Sequence, residues 1–272
     1  MTPLLLTVPS VPSPKRLVTP LLVLGLALVL GVGLPACGGD PPPLPPEIAE
    51  GRAPELLILV YDRSTSVTEA ELQHYQEATR TRLDDLVHGD RIVALQILEL
   101  SLDEDPIRWA QDVPPREFRE RVMARDSVAR ARFIQDARDY LTRFTDNEDR
   151  DGFVGTDILS TLHLVAAEVA AYPEHRASVI LFSDMLQANA VMNMEGLVRM
   201  PPAGWIQQQA RLQTLPDLSG VCVVVVGART DTPASQRVRS FWEEYFEVTG
   251  ANLLPRNYQY RAVRIPERPC GG

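Results

Sequence analysis

A doubly wound α/β domain, with a mostly parallel central sheet and helices on both faces, is the fold class the sequence predicts. Three observations carry it. Strand-like and helical runs alternate along most of the chain, the order that builds parallel strands joined by crossover helices. The strand-like runs are continuously apolar rather than alternating, as expected of strands covered on both faces. The length, 272 residues, suits one good-sized domain plus a leader, or at most two small domains.

Taken in order, residues 55–61 (ELLILVY) read as the first strand. Thr68-Glu-Ala-Glu71 has the spacing of a capping box, in which a hydroxyl and a carboxylate close the first helical turn; it opens a helix to about Val87. Gly89-Asp90 ends that helix. Residues 91–100 make a second strand, and 107–113 a third that pairs with it as a hairpin. From Pro115 to about Phe144, apolar residues recur at helical steps: Phe118, Val122, Ala129, Phe133, Ala137, Tyr140 and Phe144 form one stripe. An acidic loop over 146–152 precedes a helix over 157–171, with Ile158, Leu162, Val165 and Val169 on one face. Residues 177–183 are a fourth strand. A Met-rich, Pro-broken loop fills 189–204 and leads into a helix from Trp205 to Leu212. Residues 221–226, bounded by Gly220 and Gly227, are a buried strand; 234–249 are helical, and a last short strand lies near 258–263. No internal repeat is visible.

The N-terminus stands apart from this pattern. Lys15 and Arg16 precede an almost wholly apolar stretch over 17–33, and Leu34-Pro35-Ala36-Cys37 follows. A basic start, an apolar stretch and small residues before a cut describe a secretory signal peptide. The Leu-x-Ala-Cys ending resembles a bacterial lipobox, which implies cleavage before Cys37, lipidation of its thiol and a place in the cell envelope, at the outer membrane or cell surface. An uncleaved membrane anchor is the alternative, but the run is short for one and contains Pro20. Asp40-Pro-Pro-Pro-Leu-Pro-Pro46 cannot form a helix or a central strand and reads as a stiff spacer. The expected organisation is a leader over 1–36, a tether over 37–53, a folded domain over 54–266 and a tail over 267–272.

Basic residues number 27 against 36 acidic ones; loss of Lys15 and Arg16 with the leader takes the net charge from −9 to −11. An acidic chain argues against a nucleic-acid partner, because phosphate binding needs a basic surface. Two cysteines follow Cys37. Cys222 lies in a strand-like run and Cys270 in a Pro-rich tail. An envelope location permits a bridge between them; a buried thiol at Cys222 and a loose one at Cys270 is the alternative.

Ligands of open α/β sheets bind at the C-terminal ends of the strands. After the first strand come Asp62-Arg63-Ser64-Thr65-Ser66, before the 157–171 helix Gly155-Thr156-Asp157, and after the fourth strand Ser183-Asp184. Carboxylate and hydroxyl oxygens of this kind suit a hard cation, Mg²⁺ or else Mn²⁺ or Ca²⁺. Two carboxylates on a divalent ion leave little excess negative charge, so an open coordination position attracts a carboxylate from a partner.

Here the chain resembles the von Willebrand factor A family. Asp62-x-Ser64-x-Ser66 is similar to its DxSxS motif, Thr156 to its metal-binding threonine and Asp184 to its later aspartate. The resemblance extends over roughly 54–266. It implies a MIDAS-type metal site in which Ser64, Ser66 and Thr156 supply direct hydroxyl ligands, while Asp62 and Asp184 act mainly through water or by hydrogen-bonding the hydroxyls. Met185 departs from the pattern, since many members have glycine there.

Other signals are weaker. Asn147-x-Asp149-x-Asp151-Gly152 spaces oxygens like the start of a calcium loop, but Ile158 stands where the bidentate glutamate belongs, which leaves a partial site or a solvated acidic loop. The four histidines, His74, His88, His163 and His175, have no metal-ligand spacing. No nucleophile elbow, phosphate loop or dinucleotide fingerprint occurs, so nothing asks for an enzyme. The expected function is a lipid-anchored module that captures a protein through the metal. A metal-independent scaffold subunit of an envelope complex is the alternative; a metal-dependent hydrolase is a further one, for which no general base can be named.

Overall fold

The computed structural model describes residues 52–64, 66–99, 101–102, 107–114, 123–145, 155–190, 192–194, 200–262 and 264–271. The leader, Cys37, the tether up to Gly51, the acidic loop and the Phe118–Val122 part of the long helix lie outside them.

Among the described residues six strands form one sheet in the order β3-β2-β1-β4-β5-β6. They are β1 (Glu55–Asp62), β2 (Arg91–Ile97), β3 (Ile107–Asp112), β4 (Arg176–Phe182), β5 (Cys222–Val226) and β6 (Tyr258–Gln259). Only the β2–β3 pair is antiparallel, as the hairpin reading expects. Helices α1 (Glu69–Leu83), α2 (Met123–Thr145), α3 (Ile158–Ala171), α4 (Trp205–Arg211) and α5 (Pro233–Val248) complete the fold.

The continuous apolar runs are explained by burial on both sides. On β1, Leu56, Ile58 and Val60 face a core completed by α3, α4 and α5, while Leu57, Leu59 and Tyr61 face one completed by α1 and α2. The capping box forms as the sequence implies: the Glu71 N–H donates to Thr68 Oγ1 and the Thr68 N–H to Glu71 Oε2. In α2 the buried line is Ile134, Ala137 and Leu141. Phe133 and Tyr140, expected at its centre, lie on its flank. Their rings reach sideways to Trp109 of β3, with centroids 6.0 and 5.6 Å away, and leave the narrow gap under the sheet to aliphatic side chains.

Several elements end earlier than the apolar pattern implies. α1 stops at Leu83 because the buried Asp90 carboxylate draws the chain back to the sheet, accepting from the N–H groups of Val87 and Glu55. β2 stops at Ile97 because the Ser101 hydroxyl accepts the Leu98 N–H and closes a turn. β6 is only two residues long.

At the N-terminal edge of the sheet, Glu55 and Arg82 are both fully buried and paired, and Arg52 reaches Asp90 at 2.6 Å. Arg52 also lies 3.6 Å from Glu267, which draws the C-terminal tail to the same edge. A disulfide joins Cys222 of β5 to Cys270 and fixes the tail a second time. It spans a sequence separation of 48 residues. Closing such a loop in the unfolded chain is worth about 4 kcal/mol on a chain-entropy argument. Reduction, or the pair Cys222→Ser and Cys270→Ser, is therefore expected to lower the urea-derived unfolding free energy by about 2–4 kcal/mol. An unchanged midpoint would mean that the tail adds nothing to the fold.

Candidate metal centre

Asp62 is the last residue of β1, the strand flanked by β2 and β4 on either side. It is 1 % exposed, and both of its oxygens are engaged: Oδ1 accepts the Ser64 N–H at 2.9 Å, and Oδ2 accepts the Ser183 hydroxyl at 2.8 Å. The first bond turns the chain sharply out of the strand and brings Ser64 back over the edge. The Ser64 and Ser66 hydroxyls lie 2.9 Å apart. Ser66 in turn donates its hydroxyl to Asp184, whose Oδ1 also accepts the Leu186 N–H at 3.0 Å. Four of the five residues singled out in the sequence are thus joined in one hydrogen-bonded set.

Thr156, the fifth, comes to the same edge on a separate loop. Its backbone pairs with Ala188 through two hydrogen bonds of 2.7 and 2.8 Å, and the Asp157 N–H donates to Leu98 O, just past β2. Gln187, fully buried, locks this arrangement: its Nε2 donates to Asp157 Oδ1, and its Oε1 accepts the Leu159 N–H. Gly155 has to be glycine, because a Cβ there would lie 2.5 Å from the Glu99 side chain. The Thr156 hydroxyl is buried and has no hydrogen-bond partner among the described residues.

The turn after Asp184 is strained. Met185 has φ +66°, a left-handed conformation that costs a residue with a Cβ roughly 1–2 kcal/mol. Its side chain is fully buried in the core between the sheet and α5, and burying a methionine is worth about 2–5 kcal/mol on the evidence of large-to-small substitutions. Burial wins, which is why methionine can occupy a position that suits glycine. Gly227, after β5, has no such freedom: with φ +117°, a Cβ there would meet Tyr75 Oη at 2.3 Å and Ser183 O at 2.8 Å.

Electrostatically the edge is under stress. Burial first, and the Asp62 carboxylate second, push the Asp184 carboxyl up to about 7, against the opposing bonds from Leu186 and Ser66. The Tyr75 phenol of α1 is raised well above its ordinary value by burial and then by Asp62 and Asp184, and its hydroxyl is unpartnered among the described residues. Beside the site lies a pocket of about 330 Å³, lined by Ser66, Glu71, Asp184, Leu186, Arg229 and Ser235 among others.

A cation fits this donor set. The oxygens are hard, two carboxylates stand close together, and one buried hydroxyl lacks a partner. Among the described residues no group of three or more His, Cys, Asp or Glu side chains is placed to hold a metal ion, so an ion here would rest on the hydroxyls as well as on the two carboxylates. Ser183, Tyr75, Gln187 and Gly227 were not singled out as site residues. Gly227 and Ser183 carry a visible signal, bounding a buried strand and preceding Asp184. Tyr75 and Gln187 carry none.

No family profile and no curated protein matches the chain. Among solved structures it is similar to a von Willebrand factor type A protein from Catenulispora acidiphila, with 12 % identity, a TM-score of 0.33, and 73 % of this chain and 42 % of that one covered. It is also similar to proximal thread matrix protein 1 from the mussel byssus, with 14 % identity, a TM-score of 0.33 and 73 % and 48 % coverage. The TFIIH p34 N-terminal domain follows at 12 % identity, a TM-score of 0.27 and 77 % and 91 % coverage. The chain spans less than half the length of the first two. At these TM-scores the likenesses are distant, and what the site does has to follow from its own residues.

The raised Asp184 carboxyl gives a pH dependence of definite sign. Between an ordinary carboxylate value and about 7, the folded protein holds a proton that the unfolded chain has lost. Metal-free stability is therefore expected to fall as pH rises through that window, and the contribution to be complete below it. Urea unfolding in EDTA from pH 4.5 to 8 measures this. Asp184→Asn, which cannot titrate, should flatten the decline, and an equally steep decline in that variant would place its origin elsewhere.

Proposed function

We propose that this chain is a binding module that captures a protein partner through a divalent cation held by Asp62, Ser64, Ser66, Thr156 and Asp184. The observation that carries the reading is the Thr156 hydroxyl, buried and without a hydrogen-bond partner among the described residues, at the edge where two carboxylates are held together. A buried hydroxyl without a partner costs about 1–3 kcal/mol, and adjacent carboxylates repel. One hard cation offsets both. Ser64, Ser66 and Thr156 would be direct ligands. Asp62 and Asp184 would hold the hydroxyls and any ion-bound water, since both already accept hydrogen bonds within the set.

Mg²⁺ is the first choice, with Mn²⁺ or Ca²⁺ as alternatives. When bound, the ion supplies a positive charge that its ligands incompletely neutralise, and this recruits a carboxylate of the partner. The pocket beside the site would take neighbouring parts of that partner. A lipid at Cys37 and a Pro-rich tether would hold the domain on the outer membrane or cell surface. The disulfide accords with such an oxidising compartment.

One observation favours a second reading, a metal-independent scaffold subunit. A cleft of about 490 Å³ between α4 and α5 is lined by Pro201, Pro202, Trp205 and Phe241, away from the carboxylates. Metal-dependent partner capture separates the two readings.

The test is thermal unfolding in EDTA and in excess Mg²⁺, Mn²⁺ or Ca²⁺. An ion at a hundredfold excess over its dissociation constant is expected to add about 2.7 kcal/mol. The Asp62→Ala, Asp184→Ala double variant should lose that gain. Thr156→Val should lose it too while being no less stable than wild type in EDTA, because it removes a buried hydroxyl that has no partner among the described residues. No gain with any of the ions would sink the metal reading and leave the scaffold.

A further inference from the structure

We infer that Trp242 is a positioning residue for this site: from the middle of α5 it holds the strained Met185 turn that aims Asp184 at the metal edge. The inference rests on the metal reading above for its purpose, but not for its geometry.

Trp242 is fully buried, and its Nε1–H donates to Met185 O at 2.8 Å, across 57 residues of sequence. The Met185 N–H donates to Ser183 Oγ at 2.9 Å, and the Ser183 hydroxyl donates to Asp62 Oδ2 at 2.8 Å. The four groups form one relay from α5 through the turn to the end of β1. Only the Ser183 hydroxyl in it both accepts and donates; the Met185 N–H and C=O belong to different peptide groups, so the two halves of the relay are joined through the Met185 backbone. Asp184 sits between Ser183 and Met185, and the turn sets its direction.

Such a hold is needed because residue 185 is methionine. A left-handed backbone is natural to glycine and unfavourable to a residue with a Cβ, and Met185 has φ +66°. Left alone, the Met185–Leu186 peptide would gain by rotating away, and the Asp184 carboxylate, tied to the Leu186 N–H, would move with it. The indole N–H opposes that rotation by satisfying a buried carbonyl that has no water to turn to. Trp242 itself is held by its neighbours, packing edge-on against Phe241 and Tyr245 with centroids 5.1 and 5.5 Å away. The tryptophan therefore compensates for the missing glycine, and glycine at 185 should make its N–H dispensable.

The test uses Trp242→Phe, which keeps an aromatic ring and removes the donor, alone and combined with Met185→Gly. Two readouts are taken: amide hydrogen exchange of Met185 and Leu186 in EDTA, and Mn²⁺ affinity from its paramagnetic resonance signal. In Trp242→Phe, exchange at the two turn amides is expected to speed up more than tenfold while β4 and β5 amides stay protected, and Mn²⁺ binding to weaken at least fivefold. In the Met185→Gly background the same tryptophan substitution should change Mn²⁺ affinity less than twofold. Unchanged exchange in Trp242→Phe would overturn the inference, as would an equal loss of affinity with methionine or glycine at 185, or exchange that changes while affinity does not. A wild type that binds no Mn²⁺ would remove the metal reading alone; the exchange data would still decide whether Trp242 holds the turn.

Discussion

Two carboxylates, Asp62 and Asp184, are held near one another at a sheet edge that excludes most water, and much of the surrounding structure answers to that. Neither can be left bare. Asp62 takes a backbone N–H and a serine hydroxyl; Asp184 takes a backbone N–H and another serine hydroxyl. Even so, Asp184 remains hard to ionise. The strained Met185, the crowded Gly227 and the buried Trp242 N–H are all arranged around the loop that carries the second carboxylate.

The fold makes this arrangement rigid. β1 is paired along its length on both sides, so its last residue has little freedom. At the opposite edge, the buried Glu55–Arg82 pair and the Asp90 carboxylate fix where β1 begins. A buried pair of this kind adds little net stability, because desolvating the ions offsets their attraction, but removing one partner is costly. Its consequence is to fix the start of the strand, with Glu267 and the Cys222–Cys270 disulfide closing the tail over the same region.

Local signals in the chain were legible, and distant ones were not. Apolar runs, the Thr68–Glu71 box and Gly227 each declare themselves within a few residues, so the strands, the helices and the order of layers could be read directly. The placement of Asp62, Ser64, Ser66, Thr156 and Asp184 at the sheet edge could be read because each follows a strand or precedes a helix there. The angle of α2 could not be read: Phe133 and Tyr140 recur at the same helical steps as Ile134 and Leu141, and the ring contacts with Trp109 on the same face of the sheet are not visible in the local pattern. Gln187 and Tyr75 look like ordinary loop and helix residues, because their partners lie tens of residues away, and nothing near Trp242 in the sequence shows that its indole reaches Met185. Nothing local to Arg82 announces its pairing with Glu55, 27 residues away.

On the proposed reading, a divalent ion displaces the proton that the Asp184 carboxyl otherwise holds. Calorimetric titration with Mg²⁺ in buffers of different ionisation enthalpy counts the protons released on binding. Saturable one-to-one binding is expected, with about one proton released near pH 6 and close to none near pH 8. Absence of saturable binding at either pH would contradict it.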